Sequence, residues 1–130
     1  RPHDIEVVDV VAFLHDELLP RLALSPVRKK LAVHATCSVR KLGLQSKLMT
    51  LAKACAGDAI APDDVECCGF AGDRGFTTPE LNLHALRHLS SAVRGASAGC
   101  SSSVTCEIGL CRSSGIPYRS VAYFVEEACV

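Results

Sequence analysis

Eight cysteines stand in this 130-residue chain, at positions 37, 55, 67, 68, 100, 106, 111 and 129. The sharpest feature among them is the vicinal pair Cys67-Cys68, followed by Gly69-Phe70-Ala71-Gly72-Asp73-Arg74-Gly75. Thiolate sulfur is a soft ligand that selects zinc, copper(I) or iron–sulfur clusters. Glycines beside such ligands let the backbone approach a bulky group and free N–H donors for its sulfurs. The bland alternative is a pair of small hydrophobes buried in a tight turn. A disulfide scaffold fits poorly: the chain has apolar residues enough for a core, and adjacent cysteines rarely bridge without strain.

The other cysteines divide by position. Cys55 falls on the apolar stripe of an expected helix and reads as core packing. Cys100 lies in or beside an expected strand, six residues before Cys106. Cys111 follows Cys106 by five, an unusual spacing for a metal pair, and Cys129 is peripheral. His34, three residues before Cys37, is either a ligand or a strand-end histidine satisfied by a backbone carbonyl. His84 and His88 stand four apart on one expected helix, a spacing that can pinch a metal, but a surface pair is the simpler reading. Asp73 and Arg74 either pair with each other or meet a carboxylate of a substrate or donor. Ser101-Ser102-Ser103 lacks the Gly-x-Ser-x-Gly frame of a nucleophile elbow. The glycines from 69 to 75 lack the Gly-Lys-Ser/Thr ending of a phosphate loop. No residue is assigned as catalytic.

Positioning these cysteines requires elements that bring distant positions together. Asp4 to Leu22 reads as a helix burying Val7, Val11, Leu14, Leu18 and Leu22, ending near Pro20. Residues 29–35 read as a buried strand. Val39 to Ala56 reads as a helix with the stripe Leu44, Leu48, Leu51 and Cys55, closed by Gly57. A short strand near 59–61 follows, then a turn at Pro62-Asp63-Asp64. Pro79 to Arg94 reads as a helix capped by Thr78, with Leu81, Ala85, Leu86, Leu89 and Val93 inward. Residues 96–102 form a third strand, 106–111 a short helix, and Ser120 to Ala128 a final helix with Val121, Phe124, Val125 and Ala128 on one side. This alternation predicts an α/β layered fold, with a short, mostly parallel sheet flanked by helices. Sites in such sheets gather at the carboxyl ends of the strands. Cys37, Cys67 and Cys106 each follow an expected strand, so the cysteine site is expected there.

Composition narrows the partners. The length fits one domain, 1–130. With 48% hydrophobic and 22% charged residues, a packed core is expected rather than disorder. Lysine plus arginine balances aspartate plus glutamate at 14 each, so no net field draws the chain to nucleic acid. Aromatics are 5% and tryptophan is absent, which removes base-stacking platforms. No apolar run approaches the roughly 18–20 residues of a transmembrane segment.

The spaced motifs resemble a known family. His34-Ala35-Thr36-Cys37, then Cys67-Cys68-Gly69, then Ser103-Val104-Thr105-Cys106 is similar to the cysteine-rich Cys-Cys-Gly domain. That domain occurs in heterodisulfide reductase, in the iron–sulfur subunit of glycolate oxidase, and at the C-terminus of bacterial FAD-linked D-2-hydroxyacid dehydrogenases. The stretches CCGFAGDRGF, PEL and TCEIGL most resemble the last group. The resemblance implies an iron–sulfur cluster held by Cys37, Cys67, Cys68 and Cys106, with structural zinc as the alternative. His34 and Ser103 would be ligands or neighbours of the ligands, and Gly69, Gly72, Asp73 and Arg74 would form the site loop. It further implies a C-terminal fragment of a parent enzyme acting on D-lactate or D-2-hydroxyglutarate. FAD and ferredoxin-like clusters would lie on partner domains outside this chain. Such a protein would be cytoplasmic, or peripheral to the inner membrane through its partners. One departure is visible: the family's final Cys-x-x-Cys has Ser103 in its first position here, leaving four thiolates. Four suffice for a cubane cluster or a zinc site.

Overall fold

The computed structural model describes residues 4–130. Four strands form one all-parallel sheet in the order β2-β1-β3-β4. They are β1 (Arg28–Val33), β2 (Ala56–Ile60), β3 (Ala98–Ser101) and β4 (Tyr118–Ser120). The fold is thus α/β, with the layered parallel sheet that the alternation predicts.

Side-chain alternation along β1 builds two cores. Leu31 and Val33 point into one cluster with Leu48, Leu51, Cys55, Val121, Phe124 and Val125. Ala32 points into the other, with Val65, Phe70, Leu86, Leu89, Leu110 and Tyr118. Successive strand residues face opposite sides, so a strand buried on both faces must be apolar at every position. Leu31, Ala32 and Val33 meet that demand. Helices α3 (Gln45–Cys55) and α8 (Val121–Ala128) cover the first face. Helices α5 (Pro79–Ala85), α6 (Leu89–Ala92) and α7 (Val104–Ser114) contribute to the second.

Strand order explains why the helices change face. From β1 the chain steps one way to β2, then returns past β1 to β3 and continues to β4. Crossovers of parallel strands keep one hand, so reversing direction moves the connecting helices to the opposite face. The reversal leaves a crevice between the carboxyl ends of β1 and β3, where connections depart to opposite sides.

Several elements differ from the sequence expectation, each for a local reason. The first helix begins only at Val10, because the Asp9 carboxylate accepts from Val11 N at 2.8 Å and caps α1 (Val10–Phe13). It then widens into a π turn over Leu14–Leu18 and tightens into a 3-10 turn over Leu19–Arg21. Pro20 has no N–H for a regular bond, which accounts for the irregularity. Val7, expected on the buried face, is exposed, while Val11 and Leu14 are buried. The expected helix from 39 to 56 splits into α2 (Cys37–Lys41) and α3 at Gly43, whose φ is +69°. Gly57 does not close a helix but lies in β2, where an added Cβ would stand 3.3 Å from the Lys29 carbonyl oxygen. The expected helix from 79 to 94 breaks between Ala85 and Leu89 into α5 and α6. Thr78 stands at the cap position without a side-chain cap bond. β4 went unread, and α7 runs longer than expected. Among the described residues no helix is long and apolar enough to cross a membrane.

Candidate functional site

Three connections bring the four cysteines to the crevice. β1 ends at Val33, and four residues on Cys37 opens α2. Thr36 caps that helix, its hydroxyl accepting from Val39 N at 3.3 Å. β3 ends at Ser101, and Cys106 lies in the first turn of α7. Cys67 and Cys68 come from the loop after β2. One cleft of about 340 Å³ is lined by Cys37, Cys67, Cys68 and Cys106, together with Thr36, Ser38, Ala71, Gly72, Ser103 and Thr105. All four expected ligands therefore share one cavity.

The sulfurs pair across that cleft. Cys37 Sγ and Cys67 Sγ are 3.7 Å apart, and Cys68 Sγ and Cys106 Sγ are 3.0 Å apart. The vicinal cysteines thus turn to different partners. Cys37 and Cys67 are exposed, Cys106 is half-buried and Cys68 is buried. Two backbone donors already address the sulfurs: Gly69 N–H to Cys67 Sγ at 3.3 Å, and Phe70 N–H to Cys68 Sγ at 3.4 Å. Contact with Cys106 is the largest influence on Cys68 and, against the opposing effect of burial, lowers its thiol to about 6, helped by backbone N–H donors. Within this close pair the same contact, then burial, pushes Cys106 up. Within this pair the Phe70 N–H favours negative charge on Cys68 over Cys106. Cys37 is raised by its contact with Cys67 and by desolvation.

The loop carrying Cys67 and Cys68 is gripped by its main chain. Arg40 bonds the Ala35 carbonyl through Nε at 3.2 Å and the Val65 carbonyl through Nη2 at 3.3 Å. His34 Nε2 donates to the Glu66 carbonyl at 3.2 Å. Asn82 Nδ2 donates to the Cys68 carbonyl. Three side chains from three parts of the chain thus hold the carbonyls of 65, 66 and 68. Gly69, at φ +68°, lets the same loop lie against α5.

His34 does not line the cleft; of its two expected roles it takes the backbone-bonding one. It is 3% exposed. Burial lowers its imidazole to about 4, against the raising effect of the Glu66 carbonyl and with a smaller lowering from Arg40. Ser103 lines the cleft, and its hydroxyl meets Thr105 Oγ1 at 3.2 Å and the Cys106 sulfur. Gly72 lines it as well, at φ +69°. Asp73 and Arg74 do not: both are exposed where α4 (Arg74–Thr77) begins, and no ion pair joins them. His84 and His88 are exposed and fall on either side of the break between α5 and α6. Cys55 and Cys100 are buried in the first core, and Cys111 accepts from Tyr118 N at 3.1 Å.

Arg40 and Asn82 escaped sequence reasoning. Arg40 stood in an expected helix with no partner to suggest a role. Asn82 carried a faint signal, since it sits between Leu81 and Leu83 on a helix that turns Asn82 inward and leaves both leucines exposed. Leu81, expected inward, is corrected on this point: the buried face of α5 must supply a donor to the Cys68 carbonyl. Asn82→Ala should therefore leave that buried acceptor unpaired and lower stability by about 2 kcal/mol. Urea denaturation measures the loss, and an unchanged midpoint would remove Asn82 from the grip. In the same variant Cys68 should react faster with a thiol reagent.

Comparison with protein-family models, curated proteins and solved structures finds no match. The class defined by fold and geometry is a three-layer α/β domain with a four-thiol cleft at its topological switch point.

A thiolate-bound group can be weighed against this geometry. Four sulfurs around one ion at about 2.3 Å would stand about 3.8 Å apart. The Cys37–Cys67 separation matches that edge, and Cys68–Cys106 is shorter. Among the described residues, no three His, Cys, Asp or Glu side chains converge as a single-ion site. A multi-iron cluster needs no single point of convergence, but thiolates on separate irons stand well apart, so the Cys68–Cys106 pair would have to open to take separate corners. Backbone N–H donors to Cys67 and Cys68 suit sulfurs that carry charge. Four soft thiols lining one cleft are the donor type that iron–sulfur clusters and zinc take, while the present Cys68–Cys106 spacing is tighter than either group requires.

Proposed function

We propose that this chain is an electron-transfer domain that holds an iron–sulfur cluster through Cys37, Cys67, Cys68 and Cys106. The observation that carries the proposal is the meeting of these four thiols, from three separate connections, in one cleft at the strand ends. A bound cluster would supply one-electron redox chemistry. The chain's own residues do the rest. Arg40, His34 and Asn82 fix the main chain that carries two of the thiols. Gly69 and Phe70 offer N–H donors, which stabilise negative sulfur and raise a cluster's potential. Cys68 lies on the buried side, away from water, while Cys37 and Cys67 lie at the exposed rim where an electron partner can approach.

By the motif resemblance, the parent would be a cytoplasmic FAD-linked D-2-hydroxyacid dehydrogenase acting on D-lactate or D-2-hydroxyglutarate. Its flavin and ferredoxin-like domains would be this domain's partners. The isolated domain would have no dehydrogenase activity. A structural zinc is the second reading, favoured by the 3.7 Å Cys37–Cys67 separation. Zinc has no redox chemistry and would make the domain an assembly or docking module.

Anaerobic purification, with iron, sulfide and zinc analysis, a visible spectrum and EPR on one sample, tests both. Iron with acid-labile sulfide, lost in Cys67→Ser and Cys106→Ser, is expected. Zinc without visible absorption would replace the first reading with the second. Neither metal after anaerobic reconstitution would overturn both.

A further inference from the structure

Cys67 and Cys68 are neighbours in sequence, yet their sulfurs are committed to opposite partners. Cys68 Sγ lies 3.0 Å from Cys106 Sγ, across a gap of 38 residues, and both line the open cleft. A disulfide needs about 2.05 Å, so closing this pair asks for a shift of about 1 Å. The Cys37–Cys67 pair must travel further from 3.7 Å. A Cys67–Cys68 bridge would strain the peptide between two adjacent residues. Of the four remaining cysteines, Cys55 and Cys100 are buried in the first core, Cys111 is bonded to the Tyr118 backbone, and the exposed Cys129 bonds the Val125 carbonyl outside the cleft.

We propose that in the metal-free chain Cys68 and Cys106 form a reversible thiol–disulfide couple, oxidised by a hydroperoxide and reset by a small dithiol. This inference is independent of the cluster reading, because it concerns the thiols before any metal is bound. One thiolate of the pair attacks the peroxide oxygen, giving a sulfenic acid and releasing an alcohol or water. The second thiol attacks that sulfur, forming the S–S bond and expelling water. In sum, two thiols and one hydroperoxide give one disulfide, one alcohol (or water) and one water. The two sulfurs lose the two electrons that the O–O bond gains. A dithiol reverses the step by exchange through a mixed disulfide, becoming a disulfide itself. The couple itself needs no metal; under the cluster reading, and only there, a closed bridge would also withdraw two of the four cleft thiols from the metal.

The test uses the whole chain, stripped with chelator and treated with one equivalent of hydrogen peroxide. Free thiols are then blocked, and the bridge is located by tandem mass spectrometry. The thiol count should fall by two of eight and return fully with dithiothreitol. The bridge should join Cys68 to Cys106, persist in Cys67→Ser, and vanish in Cys68→Ser and Cys106→Ser. A Cys67–Cys68 or Cys37–Cys67 bridge as the main product would overturn the proposal. So would sulfinic acid in place of any disulfide, or a random mixture of pairings. Mapping on the unsubstituted chain decides the matter even if a variant does not fold. A correct pairing in a chain that never binds metal would retain this couple while removing the cluster reading.

Discussion

Gly69→Ala is expected to cost about 3 kcal/mol and to lower the melting midpoint by roughly 10 °C. Two separate effects add. At φ +68° the backbone is left-handed, which costs an L-residue about 1–2 kcal/mol. The new Cβ would also stand 2.7 Å from the Leu81 carbonyl oxygen and 2.8 Å from Ala85 Cβ. Both belong to α5, so relief requires the helix and the Cys67-Cys68 loop to separate. Gly72→Ala is the matched control. It has the same handedness, φ +69°, but nothing lies within 4 Å of its added Cβ. It should lose only the conformational part, about 1 kcal/mol. Thermal denaturation of the two variants side by side checks this, and equal losses would show that the close approach to α5 contributes nothing. Because the loop carries two thiols, Gly69→Ala should also loosen the Cys68–Cys106 contact, while Gly72→Ala should leave it intact.

Acid should weaken the fold through His34 in a defined window. Burial holds this imidazole neutral in the folded chain down to about 4, against an ordinary value of 6.5. Above pH 6.5 neither state binds the proton and no dependence arises. Between about 6.5 and 4 the unfolded chain takes up a proton that the folded chain excludes, so stability falls as pH falls. The full effect approaches about 3 kcal/mol at the acid end of that window. His34→Gln keeps an amide donor for the Glu66 carbonyl and removes the titration. Denaturant midpoints from pH 7.5 to 4.5 should slope more steeply for the unsubstituted chain than for His34→Gln. Parallel slopes would show that the buried imidazole is not the source. Asp16 and Glu127, whose carboxyls are lowered by Lys47 and Arg28 respectively, act at the lower edge of the range and equally in both proteins.

Much of the sheet was legible because its signals are local. Leu31-Ala32-Val33 is apolar at every position, as a strand with two buried faces must be. Cys37 and Cys106 could be placed after strands for the same reason. Strand order was not legible: no local pattern states that β3 returns past β1, yet this return creates the crevice. Three helical segments, those expected over 4–22, 39–56 and 79–94, were read too long, because periodicity continues across breaks that one residue imposes. Gly43 and Pro20 are such residues. At α5 the apolar period pointed to Leu81, while the structure buries Asn82 to serve a main-chain acceptor 14 positions earlier. That demand comes from tertiary contact and leaves no trace in spacing. His34 was legible in part: a backbone carbonyl was one of its two expected roles, but nothing in the spacing named Glu66, 32 positions later, as the partner.

The grip on three main-chain carbonyls has a consequence for anyone moving this site to another protein. Arg40, His34 and Asn82 hold atoms that every amino acid possesses, so the exposed side chain of Glu66 can vary without releasing the loop, whereas Val65 is also fixed by its place in the second core. Transplanting the eight or nine residues around Cys67-Cys68-Gly69 alone would carry the thiols but not their aim. A graft that keeps its geometry must bring three distant anchors from the end of β1, from α2 and from α5, or invent substitutes that reach the same oxygens.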